Sequence, residues 1–133
     1  MAEQTLIILK PDSVKKNCIG EILRRFEEKG FMIKKLMMLT MDKNKAEHFY
    51  SIHNTKPFFG ELVSFITSGP VVAAVIEGSD AVNKVRAIIG ATRPNEAAPG
   101  TVRRDFGTSV TQNAIHASDS VESFIKESKI IFG

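Results

Sequence analysis

Cysteine is nearly absent: Cys18 is the single thiol in 133 residues. One cysteine excludes an internal disulfide and a cysteine-rich zinc site. It reads as a small buried apolar residue and fits a reducing cytoplasm. Long apolar runs are missing too. The stretch 71–76 (VVAAVI) falls far short of the roughly 20 residues a membrane-spanning helix needs. The opening MAEQTLIILK has no basic segment ahead of an apolar one, so no secretory signal is expected. Nor is there a large excess of one charge. With 18 basic and 15 acidic residues, the net charge of +3 is too small to argue for nucleic-acid binding. Basic residues draw together near Arg86, Arg93, Arg103 and Arg104, which leaves anionic small molecules as candidate ligands. Repeats, low-complexity tracts and linkers are also absent.

What is present is enough apolar sequence, 43% hydrophobic, for one globular domain spanning 1–133. Residues 5–9 form an apolar run stopped by Lys10-Pro11, the pattern of a buried strand. Ile19, Ile22, Leu23 and Phe26 share one helical face, closed by Lys29-Gly30. A second strand is expected over 31–40. Asp42 can cap a short helix carrying Ala46, Phe49 and Tyr50. Phe58, Leu62, Phe65 and Ile66 mark another helix, with Pro57 in its first turn and Gly69-Pro70 after it. The run 71–76 is β-branched without alternation, hence a strand buried on both faces. Ser79 or Asp80 can cap a helix with Val82, Val85 and Ile89 inward, ended by Gly90.

Residues 91–111 show little period and hold Pro94, Pro99, Gly100 and Gly107. So long an irregular stretch inside a compact domain is usually functional or an interface. A last strand is expected over 112–115. The final helix is marked by Val121, Phe124 and Ile125, with Ser118 or Asp119 as its cap and Asp119-x-x-Glu122 as a capping box. The order predicts an α+β sandwich. Its core is βαββαβ, with helices on one face of a four-stranded sheet, an extra helical hairpin over 42–66 and a long loop before the last strand.

The segment Asn113-Ala114-Ile115-His116-Ala117-Ser118-Asp119-Ser120 carries the chemistry. The pattern sets a histidine between a strand end and a helix N-terminus, where backbone N–H groups favour a phosphate. A neutral imidazole is a competent nucleophile toward phosphorus when another group fixes its tautomer. An isolated histidine here would more often be a packing residue. A Ser118-His116-Asp119 hydrolase is a weak rival, because chain neighbours rarely align as a triad and no G-x-S-x-G elbow exists.

Together, NAIHASDSVES and the preceding GATRPNEAAPGTVRRDFG resemble the signature of the nucleoside diphosphate kinase family. ILKPDSV, FYSIHNTKPFF and LVSFITSGPVVAAVIEG resemble further family motifs, in order and at matching spacing. The resemblance implies a ferredoxin-like fold, Mg²⁺ dependence, and terminal-phosphate transfer between nucleoside tri- and diphosphates through a phosphohistidine, with broad base specificity.

Carried over by position, His116 matches the phosphorylated histidine and Glu127 the glutamate that orients it. Periodicity alone would leave Glu127 as a solvated charge, off the stripe of Val121, Phe124 and Ile125. Lys10 matches a lysine near the sugar hydroxyl and the transferred phosphate, and Arg86, Thr92 and Arg103 match phosphate ligands. Tyr50 and Ser118 match residues that support the histidine and lysine. Phe58 and Leu62 match one wall of a base slot, Val110 its opposite wall and Asn113 a ribose contact. Asp119 resembles an aspartate near Mg²⁺, which is expected to ride on the nucleotide phosphates rather than on a protein cage. Ala117 stands where glycine is commoner, and a positive φ there would strain it.

A homo-oligomer built from dimers is implied, a hexamer in preference to a tetramer, with residues 91–111 packing against other subunits around a threefold axis. Their Ala97, Ala98 and Val102 would be poorly covered in a monomer. A phosphohistidine carrier would share the nucleophile but need no base slot. A nucleic-acid module would want aromatic residues on its strands, and these strands are aliphatic.

Overall fold

The computed structural model describes residues 2–51 and 54–133. Four strands, β1 (Ala2–Leu9), β2 (Met32–Leu39), β3 (Val71–Ser79) and β4 (Ile115–Ala117), form one antiparallel sheet in the order β2-β3-β1-β4. This is the ferredoxin-like arrangement expected. The two central strands carry apolar residues on both faces. Ile7, Leu9, Val72, Ala74 and Ile76 meet one core, while Leu6, Ile8, Val71 and Ala73 meet another. Two buried faces explain why β1 and β3 read as continuous apolar runs rather than alternating ones.

Helices therefore cover both sides of the sheet, not one. On the first face lie α2 (Ile19–Glu28) and α5 (Ala81–Ile89). On the second lie α3 (Lys43–Phe49), α4 (Phe59–Ile66) and α7 (Val121–Phe132). The first pair belongs to the βαββαβ core. The hairpin α3–α4 and the last helix close the face that such a core leaves open.

Local signals account for much of this. Ile22 and Phe26 are fully buried, as their spacing predicts, and Gly30 takes φ +88° after α2. Asp42 accepts a hydrogen bond from the Lys45 amide and caps α3. Elsewhere the caps differ. Pro11 does not merely stop β1; it opens a short helix, α1 (Pro11–Lys15). Helix α4 starts after Pro57, and its inward residues are Phe59, Leu62, Val63 and Ile66, so Phe58 stays out at 40% exposure. Neither Ser79 nor Asp80 caps α5 through its side chain. Glu3, reaching over from β1, accepts from the Val82 amide at 2.9 Å instead.

Two further segments depart from expectation. Residues 91–111 contain a 3-10 turn at Pro94–Glu96 and a short helix, α6 (Val102–Phe106), capped by Thr101. Pro94, Ala97 and Val102 are buried within the single chain, while Ala98 and Val110 of the same segment are exposed. Three of the exposed large apolar side chains share the edge strand β2, where Met32, Leu36 and Met38 are each more than half exposed. The last strand begins at Ile115 rather than Gln112, and the cap of α7 is Ser120, not Ser118 or Asp119.

The remote cap of α5 is testable. Glu3→Ala should lower the unfolding free energy by about 1 kcal/mol, the usual worth of a capping side chain. Urea denaturation at fixed protein concentration checks it.

Candidate active site

A cavity of about 600 Å³ opens where β1 and β4 end and α3, α4, α5 and α7 converge. Among the residues that line it are Lys10, Tyr50, Arg86, Arg103, His116 and Glu127.

His116 lies inside β4, not between a strand end and a helix. Its neighbours Ile115 and Ala117 point into the first core, so strand alternation turns the imidazole to the second face, opposite Ile8. There the Phe49 ring meets it edge-on at 5.0 Å. His116 Nε2 lies 2.8 Å from Glu127 Oε1, and Ser118 Oγ donates to the same oxygen at 2.8 Å. Both side chains of the pair are mostly buried, 22% and 16% exposed. An ionised carboxylate only accepts, so Nε2 carries the proton and Nδ1 keeps its lone pair. Among the described residues no hydrogen bond engages Nδ1.

Glu127 reaches this position because the inward stripe of α7 is not Val121 and Ile125, which are 42% and 60% exposed. The stripe runs through Phe124, Glu127 and Ile131, spaced three and four residues apart. Ser118, His116 and Asp119 form no relay. Ser118 bonds Glu127, and Asp119 Oδ1 accepts from Ser123 Oγ at 2.6 Å. That bond holds the Asp119 carboxyl below its usual range.

The approach to β4 is clasped by the residues after β1. Ala114 has φ +79°, a left-handed conformation that costs an alanine about 1–2 kcal/mol. Its carbonyl accepts from the Lys10 amide at 2.9 Å and from Ser13 Oγ at 2.7 Å, and its amide donates to Asp12 Oδ2 at 3.0 Å. Three bonds to one residue hold the strained turn. Ala117 lies in extended β4 without a positive φ, so alanine is unstrained there.

Lys10 and Arg103 are buried, at 5% and 7% exposure, and Arg86 stands beside them at the cavity wall. Their partners are neutral. Lys10 Nζ donates to Asn113 Oδ1 at 2.9 Å and to the Thr111 carbonyl at 3.4 Å. Arg103 donates to the carbonyls of Gly90 and Ile115, and Arg86 to that of Ala117. Burial, and then Arg103, push Lys10 down to about 8. Burial and Arg86 push Arg103 down to about 10. Burial and Glu127 hold the Tyr50 phenol well above its usual range, so it is a neutral wall. An anion entering this cavity meets concentrated positive charge.

The remaining expected residues lie on the same cavity. Phe58 and Leu62 come from α4 and its N-cap, and Val110 from the loop before β4. Thr92 is exposed, and its carbonyl accepts from Asn113 Nδ2 at 3.0 Å. All twelve residues expected to carry catalysis or nucleotide contacts line the cavity except Ser118, which is fully buried behind His116. The cavity adds Phe49, Glu61, Arg93, Thr111, Ser123 and Lys126. Phe49 read as a core residue of α3, and Glu61 and Thr111, far apart in sequence, carry no local signal.

A sequence model described as nucleoside diphosphate kinase matches residues 3–133. The chain is 52% identical over 130 residues to the nucleoside diphosphate kinase of Staphylothermus marinus, covering 98% of this chain and 92% of that protein. It is 53% identical over 130 residues to that of Chlamydia abortus, with the same coverage. The solved Aquifex aeolicus nucleoside diphosphate kinase superposes with a TM-score of 0.97 at 52% identity, covering 100% of this chain and 96% of that one. A Halobacterium salinarum nucleoside diphosphate kinase, solved in complex with CDP, superposes with a TM-score of 0.96 at 42% identity, covering 99% and 88%. The chain belongs to the nucleoside diphosphate kinase family and is a phosphotransferase.

Proposed function

We propose that this chain moves the terminal phosphate of a nucleoside triphosphate to a nucleoside diphosphate in two displacements at His116 Nδ1. The observation that carries the reading is the 2.8 Å contact of Nε2 with Glu127 in a histidine that lines the cavity, with Nδ1 engaged by no hydrogen bond among the described residues. In the first half, Nδ1 attacks the γ-phosphorus, the P–N bond forms, and the bond to the β,γ-bridging oxygen breaks. The nucleoside diphosphate leaves with that oxygen. In the second half, a β-phosphate oxygen of the acceptor attacks phosphorus and Nδ1 departs with its electron pair. Glu127 stabilises the positive charge that the ring carries between the halves, and Ser118 fixes that carboxylate. Lys10, Arg86 and Arg103 stabilise charge on the transferring phosphoryl oxygens.

The base is assigned to the slot between Phe58 and Val110, with Leu62 beside Phe58, Asn113 and Lys10 at the ribose, and Thr92 at the phosphates. A stacked apolar slot reads a π-face that all bases share, which supports broad base specificity. The relative solved with CDP fits this class of ligand.

Mg²⁺ suits the donor set in one way. Asp119 offers a carboxylate at the cavity rim, and no group of three metal-ligating side chains gathers among the described residues. Asp119 would meet, through water, an ion carried on the nucleotide phosphates. When bound, Mg²⁺ draws the phosphates together and offsets part of their charge.

A homo-oligomer built from dimers is supported by a second surface, besides residues 91–111 with their exposed Ala98 and Val110. Leu36 and Met38 extend the sheet face of Ala74 and Val72 into solvent on an edge strand. An exposed apolar edge of this kind is a pairing surface. We assign it to a dimer contact, with the hexamer preferred over the tetramer as the higher assembly. The buried thiol of Cys18 suits a reducing compartment, the cytoplasm.

Incubation with γ-labelled ATP and Mg²⁺ should give an acid-labile, alkali-stable label that a nucleoside diphosphate chases off. His116→Ala should lose label and turnover. Glu127→Ala should keep the fold and lower kcat by less; wild-type kcat there would remove its orienting role.

The pH profile tests Lys10. Its folded proton affinity is below that of the unfolded chain, with a folded pKa near 8 against the model-peptide 10.5. Between those values the unfolded chain binds more protons, so this group makes stability rise with pH. Function runs the other way. The free enzyme loses a phosphate-binding charge above about pH 8, so kcat/KM should fall on that side. Lys10→Arg should lack this alkaline limb, and a flat wild-type profile to pH 9.5 would exclude the role.

Leu36→Lys places a charge on the edge strand. Analytical ultracentrifugation at micromolar concentration should show a smaller species than wild type; an unchanged mass would move the dimer contact elsewhere.

A further inference from the structure

Phe58 and Val110 are the two walls of the base slot on the reading above, yet neither belongs to a packed core. They are 40% and 46% exposed. Phe58 sits at the N-cap of α4, while Val110 sits at the tip of a loop that closes on itself. In that loop the amides of Thr108 and Ser109 donate to the Gln112 carbonyl at 2.8 and 3.3 Å, and the Gln112 amide donates to Ser109 Oγ. Those bonds shape the loop without fixing its distance from α4. A slot with half-exposed walls still needs a set width, because stacking depends on the distance between an aromatic face and its partner.

Resting on that base-slot reading, we propose that Glu61 and Thr111 form a strut that sets the width of the slot, acting as positioning residues for nucleotide binding. Thr111 Oγ1 donates to Glu61 Oε1 at 2.7 Å across 50 residues of chain. Glu61 is three residues after Phe58 on α4, and Thr111 follows Val110 directly, so the bond joins the supports of the two walls. Both residues line the cavity. Thr111 is 8% exposed, so a lost partner would leave a shielded hydroxyl rather than one readily taken over by water. The Thr111 carbonyl also accepts from Lys10 Nζ at 3.4 Å, which ties the same loop to the phosphate end of the site. No ion pair engages Glu61 among the described residues. Its structural task is therefore to accept one hydrogen bond, which a neutral amide oxygen also does.

A strut acts on binding and not on the reacting nitrogen, so its removal separates affinity from turnover. Glu61→Ala and Thr111→Val should each weaken the Kd for ADP, GDP, CDP and UDP alike, by about two- to tenfold, as expected for one hydrogen bond. At saturating nucleotide kcat should hold. Glu61→Gln should restore wild-type affinity, and the Glu61→Ala/Thr111→Val double variant should be no worse than the weaker single one, since both remove the same bond. Calorimetric titration of each diphosphate, steady-state kinetics and a thermal melt confirming the fold provide the readouts. Additive losses in the double variant would overturn the strut. So would a changed preference among bases in Glu61→Gln, which would mean the carboxylate touches the base itself. Phe58→Ala separates the two levels. If it weakens binding while Glu61→Ala and Thr111→Val do not, the slot stands and the strut falls. If Phe58→Ala leaves all four Kd values unchanged, the slot reading fails and the strut goes with it.

Discussion

Buried positive charge without a matching carboxylate is the constraint on which the site depends. Lys10 and Arg103, both buried, and Arg86, exposed beside them, crowd one cavity, and each finds neutral acceptors: backbone carbonyls and one amide oxygen. Neutral acceptors satisfy N–H geometry without cancelling the field. A carboxylate in their place would have stabilised the free protein and blunted its pull on a phosphate. The cost is visible in Lys10 and Arg103, both pushed toward release of a proton by burial and by a neighbouring cation. Asp12, the carboxylate that most raises Lys10, spends one oxygen on the Ala114 amide and has the other buried without a hydrogen-bond partner among the described residues.

The same logic places the one carboxylate that chemistry needs behind the histidine rather than in front of it. Glu127 contacts Nε2, leaving Nδ1 without a hydrogen bond among the described residues, and is held there by Ser118 and by its place between Phe124 and Ile131 on α7. A negative charge on the nucleophilic side would repel the incoming phosphate. Phe49 against the imidazole leaves the ring little freedom to turn. Fixed tautomer and fixed ring together lower the reorganisation needed at transfer.

Much of this was legible from the residues. Period and caps located α2, α3 and the two central strands, because those signals are local. Glu127 was not legible from periodicity. Val121 and Ile125 are apolar but exposed, and counting them in the stripe turned the helix by most of a quarter-turn. Family resemblance supplied the residue that the pattern hid. Helix α6 was masked by Pro99, Gly100 and Gly107 on either side of five helical residues. The cap of α5 was beyond local reach, since Glu3 lies 79 residues from Val82. The start of β4 depended on a left-handed alanine, a conformation no propensity assigns and which tertiary bonds impose.

That alanine shows how the sheet sets the distance between the cationic and nucleophilic halves. Ile8 pairs with His116 across β1 and β4, and Lys10 follows two residues later. Continued pairing would have carried the chain before His116 onward along the strand. Instead Ala114 turns with φ +79°, held by Lys10, Asp12 and Ser13, and the chain leaves the sheet at once. Asn113 is then delivered to the Lys10 ammonium, and Thr111 and Val110 beyond it to the slot. Register fixes Lys10 against His116, and the strained residue fixes the loop against Lys10. Phosphate and base therefore refer to one anchor, the short stretch after β1.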